Sequence, residues 1–379
     1  MSSVFIWQER KEVLVVRAKK KNKTENKMLI NFSSSVLAII AGLLLGLLIL
    51  LSSNPSQAFP GFLMILKGGF ADGASGIGQM FYVATPIIMT GLSVGFAFKT
   101  GLFNIGASGQ FTMGAFAAIF VGVKWAGLPG EIHWIIALLA AALCGALWGL
   151  IPGILKAFLN VNEVIASIMM NYIGMYLVNM MVVKNVYDQV KNQSMPVLKS
   201  AHLPKAGLDK ILGSNMNIGI FIAILFVIII YILIEKTTFG YELKACGQNP
   251  HASKYAGINA KRNIVLAMSI AGALAGIGGA LLYLAGSGKY LQVLDVIASE
   301  GFNGISVALL GLSHPIGILF SGLFIAHITV GGYNLQLYDF VLEVIDIIIS
   351  VIIYFGAFAL LFKNVIHTLI KKNKEEKSL

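Results

Sequence analysis

An all-α bundle of membrane-spanning helices is the fold class that this chain predicts, and three observations carry it. Hydrophobic residues fill 57% of the 379 positions and charged residues only 12%, with a mean hydropathy of +0.81. A soluble domain needs about twice that charged fraction to cover its surface. Several apolar runs each reach the roughly 20 residues that a helix needs to cross the hydrocarbon core. The 41 glycines fit close helix approach in lipid, where small residues let backbones touch.

In chain order, a basic segment over 1–28 is expected to stay in the cytoplasm. Ten spans follow near 29–53, 82–98, 102–123, 132–152, 162–183, 216–234, 263–285, 302–313, 315–331 and 340–362, and a basic tail at 363–379 closes the chain. No small-residue cleavage site follows the basic start, so the first run is expected to be a retained helix and not a signal peptide. The third and eighth spans are Gly-rich and interrupted by polar residues, which predicts broken or re-entrant helices, tolerated only where protein or water satisfies the backbone. An even count puts both termini on the cytoplasmic side, together with 235–262. Eighteen of the 28 Lys and Arg lie in 1–28, 235–262 and 363–379, as the positive-inside rule expects, which explains the net charge of +11 better than a nucleic-acid partner does. Cys144 and Cys246 are too few and too badly placed for a disulfide framework.

One loop departs from that rule. The stretch 184–215 carries Lys184, Lys191, Lys199, Lys205 and Lys210 against Asp188 and Asp209, yet the span count places it outside. A solvated hairpin or short amphipathic helix is the plain expectation. The sharper one is a docking surface for an acidic delivery protein.

The segment 237–258, TTFGYELKACGQNPHASKYAGI, is polar, basic and punctuated by glycine between two long apolar runs. Gly240 and Gly247 are expected to permit sharp turns. Asn249-Pro250 suits a helix start, with the asparagine capping and the proline in the first turn. A short helix from about 250 to 256 then presents Ala252 and Tyr255 on one side, with His251 and Lys254 nearby and Gly257 following. A membrane bundle needs no such segment for stability. One that is pushed by a soluble motor needs it as a docking surface outside the bilayer, although an ordinary connector remains the plain alternative.

These residues resemble the coupling loop of ATP-binding-cassette importer permeases, in the branch that serves simple sugars, branched-chain amino acids and nucleosides. GLSVGFAFKTGLFNIGASGQFTMGAFAA at 91–118 and EGFNGISVALLGLSHPIGILFSGLFIA at 300–326 resemble Gly-rich segments of that family. NEVIASIMMNYIGMYLVN at 162–179 is most similar to the nucleoside permeases. The likeness covers about 80–365. It implies a heteromeric importer in which two permease chains form the pore. Two cytosolic ATPase subunits using ATP and magnesium drive it, and an extracellular substrate-binding lipoprotein delivers the substrate. This chain would bind no cofactor and would not be an enzyme: it has no G-x-x-x-x-G-K-[ST] phosphate loop, since Gly286-Ser287-Gly288-Lys289 runs into Tyr290 and lacks the earlier glycine.

Candidate pathway residues form polar stripes. Asn104, Ser108 and Thr112 are spaced by four, with Gln110 nearly opposite. Glu163, Ser167 and Asn171 repeat that spacing, and Glu300, Asn303 and Ser306 make a shorter stripe. Such stripes face the bundle interior and suit a neutral, hydroxylated solute, or they join helices by hydrogen bonds. Glu163 is expected to cap a helix. Asp339, Glu343 and Asp346 share one face of the last span. They are expected to pair structurally, Lys289 being a candidate partner, or else to serve an ion-coupled secondary transporter. His327 reads as a packed, hydrogen-bonded histidine. A simple-sugar permease of the ribose or galactose type is the alternative within the class, and a non-transporting membrane scaffold is a third reading. Scattered histidines give no metal-ligand spacing.

Overall fold

The computed structural model describes residues 33–358 together with 361–365 and 368; the predicted basic head 1–28 and most of the tail 363–379 lie outside the described residues. The chain is mostly helical. Its helices are α1 (Ser33–Ser53), α2 (Ala58–Lys67), α3 (Gly73–Lys99), α4 (Ala107–Lys124), α5 (Gly130–Leu159), α6 (Glu163–Asn185), α7 (Leu208–Leu212), α8 (Gly219–Lys236), α9 (Thr238–Gln248), α10 (Pro250–Tyr255), α11 (Ala260–Tyr283), α12 (Ser299–Leu310), α13 (Pro315–Tyr333) and α14 (Leu342–Ala357). A two-stranded antiparallel hairpin, β1 (Tyr187–Asp188) and β2 (Gln193–Ser194), follows α6.

Among the described residues, seven helices are long and apolar enough to cross a membrane: α1, α3, α5, α6, α8, α11 and α13 with its continuation to Tyr338. Each of the ten expected spans meets a helix, but those at 102–123, 302–313 and 340–362 meet α4, α12 and α14, which fall outside the seven. At 1.5 Å per residue the 12-residue α12 reaches only about 18 Å, well short of a hydrocarbon core of about 30 Å. α4 begins late, because residues 101–104 are not helical.

The core is the α3–α4–α5–α11 group, and glycine sets its spacing. Gly145 and Gly149 of α5 meet Gly272 and Gly276 of α11 backbone to backbone, and a Cβ on Gly272 would sit 3.1 Å from the Gly149 Cα. This is the small-residue contact that lipid requires, since lipid tails give helices no hydrophobic reason to associate. Ser269 of α11 adds a hydrogen bond to the Ala146 carbonyl at 3.2 Å, and the Trp148 indole donates to the Met170 carbonyl of α6 at 3.2 Å.

The ends of the helices sort onto two faces. On one, Gly247 at the end of α9 packs on Thr100 and Gly101, Ser313 lies by Gly95, and Ser35 of α1 donates to the Leu310 carbonyl at 2.9 Å. α14 runs antiparallel to α1, with Gly42 against Ile352 and Gly46 against Ile348, so the C-terminal end of α14 returns to this same face. The opposite face carries the lysine-rich segment. There the predicted hairpin is β1–β2, and a short helix is present as α7, with Lys205 and Asp209 paired at 3.7 Å. This region is tied down by Leu198 N–H to the Gly122 carbonyl, Leu203 N–H to the Leu284 carbonyl, and His133 between Ser200 Oγ and the Val121 carbonyl.

Candidate functional site

Two assemblies stand out, one buried at the centre of the bundle and one projecting from its end. The buried one forms where α3 stops and α4 starts. Asn104 lies in that break and not on the helix, so the expected four-residue stripe with Ser108 and Thr112 does not form. The break instead turns Asn104 toward Gln110: Asn104 Nδ2 donates to Gln110 Oε1 at 2.8 Å and Gln110 Nε2 returns to Asn104 Oδ1 at 3.1 Å. Asn104 Nδ2 also lies 3.2 Å from Ser93 Oγ on α3.

From α6, Asn171 reaches across. Its Oδ1 accepts the Gly109 N–H at 2.8 Å and its Nδ2 donates to the Ile105 carbonyl at 3.0 Å. A broken helix survives in a membrane only if other groups take up the freed backbone partners, and here one side chain does so twice. Ser108 and Ser167 complete the node. All five residues, Asn104, Ser108, Gln110, Ser167 and Asn171, are at most 2% exposed. Among the described residues the hydroxyls of Ser108 and Ser167 have no hydrogen-bond partner, a rare condition for buried polar atoms. α12 covers the node through Gly301, which abuts Ser108, and Gly304, which abuts Thr90. Asn303 is half-buried and, at 100° per residue, lies off that glycine seam; it is not part of the node.

The projecting assembly is α9–α10. The expected helix after Asn249 is present: Asn249 Oδ1 accepts from His251 N–H and Ala252 N–H, both at 3.0 Å, and Pro250 occupies the first turn. Its length is six residues, with His251, Ala252 and Lys254 exposed and Tyr255 94% exposed. The preceding stretch is not the loop its glycines suggest. It is α9, capped by Thr237, whose hydroxyl accepts the Gly240 N–H at 3.0 Å. Gly240 and Gly247 are needed for proximity and not for turning: Gly240 meets the backbone of Leu233 and Ile234, and a Cβ on Gly247 would lie 2.6 Å from the Thr100 carbonyl carbon. The positive φ falls on Gly257, at +79°.

Residues with no periodic signature join α10 to the bundle. Cys246 Sγ lies 3.5 Å from Ser253 Oγ, and Asn263 Nδ2 donates to Glu242 Oε2 at 3.3 Å and approaches Cys246 Sγ at 3.6 Å. This clip binds α9, α10 and α11 into one unit. Behind the clip, Asn259 caps α11, its Oδ1 accepting the Arg262 N–H at 3.1 Å.

Other expected residues resolve differently. Asn162, not Glu163, caps α6, accepting from Val164 N–H at 2.9 Å and Ile165 N–H at 3.3 Å; Glu163 pairs with Lys156 at 2.9 Å across the α5–α6 turn. His327 is held at both nitrogens, accepting from Gly69 N–H at 3.2 Å and lying 3.1 Å from the Leu66 carbonyl. Glu343 and Asp346 are exposed on the outer side of α14, and among the described residues no ion pair joins Asp339, Glu343 or Asp346 to Lys289 or to any other cation.

Comparison with known proteins gives the architecture a relationship. Residues 76–361 match the family described as "Branched-chain amino acid transport system / permease component". The chain is 40% identical over 345 residues to the guanosine ABC transporter permease protein NupP of Bacillus subtilis (strain 168), covering 89% of this chain and 96% of that protein. It is 35% identical over 354 residues to the nucleoside ABC transporter permease protein NupB of Lactococcus lactis subsp. cremoris (strain MG1363), covering 90% and 94%. It is 30% identical over 345 residues to the glucose ABC transporter permease protein TsgB13 of Haloferax volcanii, covering 88% and 89%. No solved structure matches it. A family match over three quarters of the chain, near-complete coverage of relatives and a bundle of apolar helices agree: this is a multi-pass membrane protein that belongs to the branched-chain amino acid transport system / permease component family.

Proposed function

We propose that this chain is the pore-forming permease subunit of an ATP-binding-cassette importer for nucleosides in the cell membrane, and that α10 is the lever through which separate ATPase subunits move it. The observation that carries the motor reading is α10 itself: a short, capped, exposed helix standing clear of the bundle yet clipped to it from within. The nucleoside reading is supported by two relatives, at 40% and 35% identity, described as guanosine and nucleoside permeases.

The route for motion is continuous. A push on α10 reaches α11 through the Cys246–Ser253–Asn263–Glu242 clip, and reaches the α3–α4 break through Gly247 on Gly101. The break holds the Asn104–Gln110 pair, so the polar node lies on the path between motor and pore. Asn104, Ser108, Gln110, Ser167 and Asn171 then line the pathway when the bundle opens, with Asn303 on the mobile cover. ATP, with magnesium, is bound and hydrolysed by the partner ATPases, and only a difference in its affinity for two motor states can bias the pore. On this reading the α10 face is cytoplasmic, the chain crosses the membrane ten times with α12 spanning only part of one crossing, and both termini face inward. The exposed side of α14, with Glu343 and Asp346, meets a second permease and not lipid, where charged groups would be costly. The Lys-rich opposite face receives a substrate-binding lipoprotein.

The experiment is uptake of radiolabelled guanosine and uridine in cells with and without this gene, challenged by excess ribose. Gene-dependent uptake that ribose leaves intact establishes the nucleoside importer. Uptake abolished by ribose or glucose instead selects the sugar reading, which the Haloferax volcanii relative favours. Uptake that survives loss of ATP but collapses with the ion gradient selects an ion-coupled carrier.

A further inference from the structure

We propose that a cavity directly on the far side of the polar node from α10 is a nucleobase-binding site, and that Glu300 is its specificity-determining acceptor; this rests on the nucleoside reading above. The cavity has a volume of 540 Å³, within the roughly 300–1,000 Å³ typical of small-molecule sites. Thr112, Met175, Tyr283, Tyr290 and Glu300 are among its walls.

Helix register places the node beneath it. Thr112 stands one turn beyond Ser108 on α4 and donates to the Ser108 carbonyl at 2.8 Å. Met175 stands one turn beyond Asn171 on α6. Glu300 adjoins Gly301, the glycine that seals Ser108. Three separate elements therefore step from the cavity wall to the buried node within one turn. Beneath that wall, fully buried, lie two hydroxyls with no hydrogen-bond partner among the described residues: Ser108, one turn below Thr112, and Ser167, two turns below Met175. They are polar groups waiting for partners, and sliding of α12 along its Gly301–Gly304 seam is the motion that uncovers them to a hydroxylated solute.

The walls suit a planar heteroaromatic ring. Tyr283 and Tyr290 supply rings, and Met175 and Leu291 supply apolar surface. A strap over 288–298 frames the cavity and is held by Asn179, whose Nδ2 donates to the Leu294 carbonyl at 3.0 Å, and by Ser194 N–H to the Leu291 carbonyl at 2.8 Å. Among the described residues Glu300 makes no hydrogen bond and no ion pair within 4.0 Å, although Lys289 lines the same cavity. A free carboxylate presents two parallel acceptor oxygens. Guanine presents two adjacent donors, its ring N1–H and exocyclic N2–H, and satisfies both. Uracil and hypoxanthine offer a single ring N–H. Adenine sets a donor beside an acceptor, so one carboxylate oxygen would face a lone pair. Glutamine at 300 pairs an acceptor with a donor, which is the complement of adenine.

The test uses the whole transporter in membrane vesicles, with Thr112→Cys as a reporter in a Cys144→Ala background, and reads the rate of maleimide labelling. Guanosine is expected to slow labelling and ribose to leave it unchanged. Adding Glu300→Gln is expected to raise the half-protecting concentration of guanosine relative to that of adenosine by about ten-fold, the discrimination typical of one bidentate base contact. If Glu300 merely stabilises the first turn of α12 through the helix dipole, both nucleosides shift together, and the specificity role is overturned. Absence of protection in a transporter that still takes up guanosine overturns the site itself; Met175→Cys serves as a second reporter on another helix. A wild-type transporter with no gene-dependent nucleoside uptake removes the underlying reading first, and the two failures are thereby told apart.

Discussion

Asn171 closes two backbone groups of a break that lies on a different helix. Asn171→Leu keeps the branched shape, with somewhat bulkier methyl groups, and removes both hydrogen bonds, leaving the Gly109 N–H and the Ile105 carbonyl unpaired in a buried place. Each such group costs about 1–3 kcal/mol, so a clear fall in the melting temperature of the detergent-solubilised transporter is expected. An unchanged melting temperature would count against the role assigned to this residue. Gly247 offers a different kind of residue-scale prediction. Gly247→Val drives a side chain into the Thr100–Gly101 backbone, so transport should be lost while the chain still inserts into the membrane, as read by surface labelling. Normal uptake in that variant would sink the coupling route. At Asn249 the loss is smaller: Asn249→Ala removes a cap worth about 1 kcal/mol, and should lower substrate-stimulated ATP hydrolysis in the assembled importer without abolishing it.

Among the elements, the α9–α10 unit and the segment between α6 and α8 show how helix caps and backbone contacts position function. The Asn249-Pro250 pair was readable because capping chemistry is local. The helical state of α9 was not, since Gly240 and Gly247 look like turn residues until the neighbouring backbones that crowd them are known. The broken start of α4 was legible as a weakness in the apolar pattern around Asn104. What heals it, Asn171, lies 62 positions from its partner Gly109, and no periodicity reports such a pairing. On the opposite face, burial disfavours the charged form of His202 and lowers its pKa, with Lys205 and Lys199 adding to the effect. The folded state therefore prefers the neutral ring, and its stability should decline as pH falls below the ordinary histidine value of about 6.5. Melting of the transporter at pH 5.5 against pH 7.5 should show a larger loss in the wild type than in His202→Gln; equal losses would remove His202 as the cause.

For the whole molecule, charge placement is the informative property. A face presenting Lys184, Lys191, Lys199 and Lys210 in exposed positions sits opposite α10, and on the proposed orientation it runs against the usual bias of cytoplasmic loops toward positive charge. An acidic delivery protein would be steered to it, and steering acts on association rate and weakens with salt. Reversing Lys191, Lys199 and Lys210 to glutamate should therefore slow uptake most at low ionic strength and limiting delivery protein. Uptake indifferent to those changes would leave the face without that role.

Membrane residence, the order of the apolar segments and the exposed capped helix were written in the sequence, because hydropathy, charge bias and capping act over a few neighbouring residues; the permease family was legible there only as a resemblance of particular segments. The node was not. Asn104, Gln110 and Asn171 were each visible as polar residues in apolar surroundings, but periodicity put Asn104 and Gln110 on opposite sides of one helix. A break in the chain brought them together. Likewise Glu163 and Glu300 each headed a polar stripe in the sequence, yet one is neutralised by Lys156 and the other faces a cavity. Such distinctions depend on which backbone lies against which, and in a lipid-soluble bundle glycine contacts between distant segments decide that.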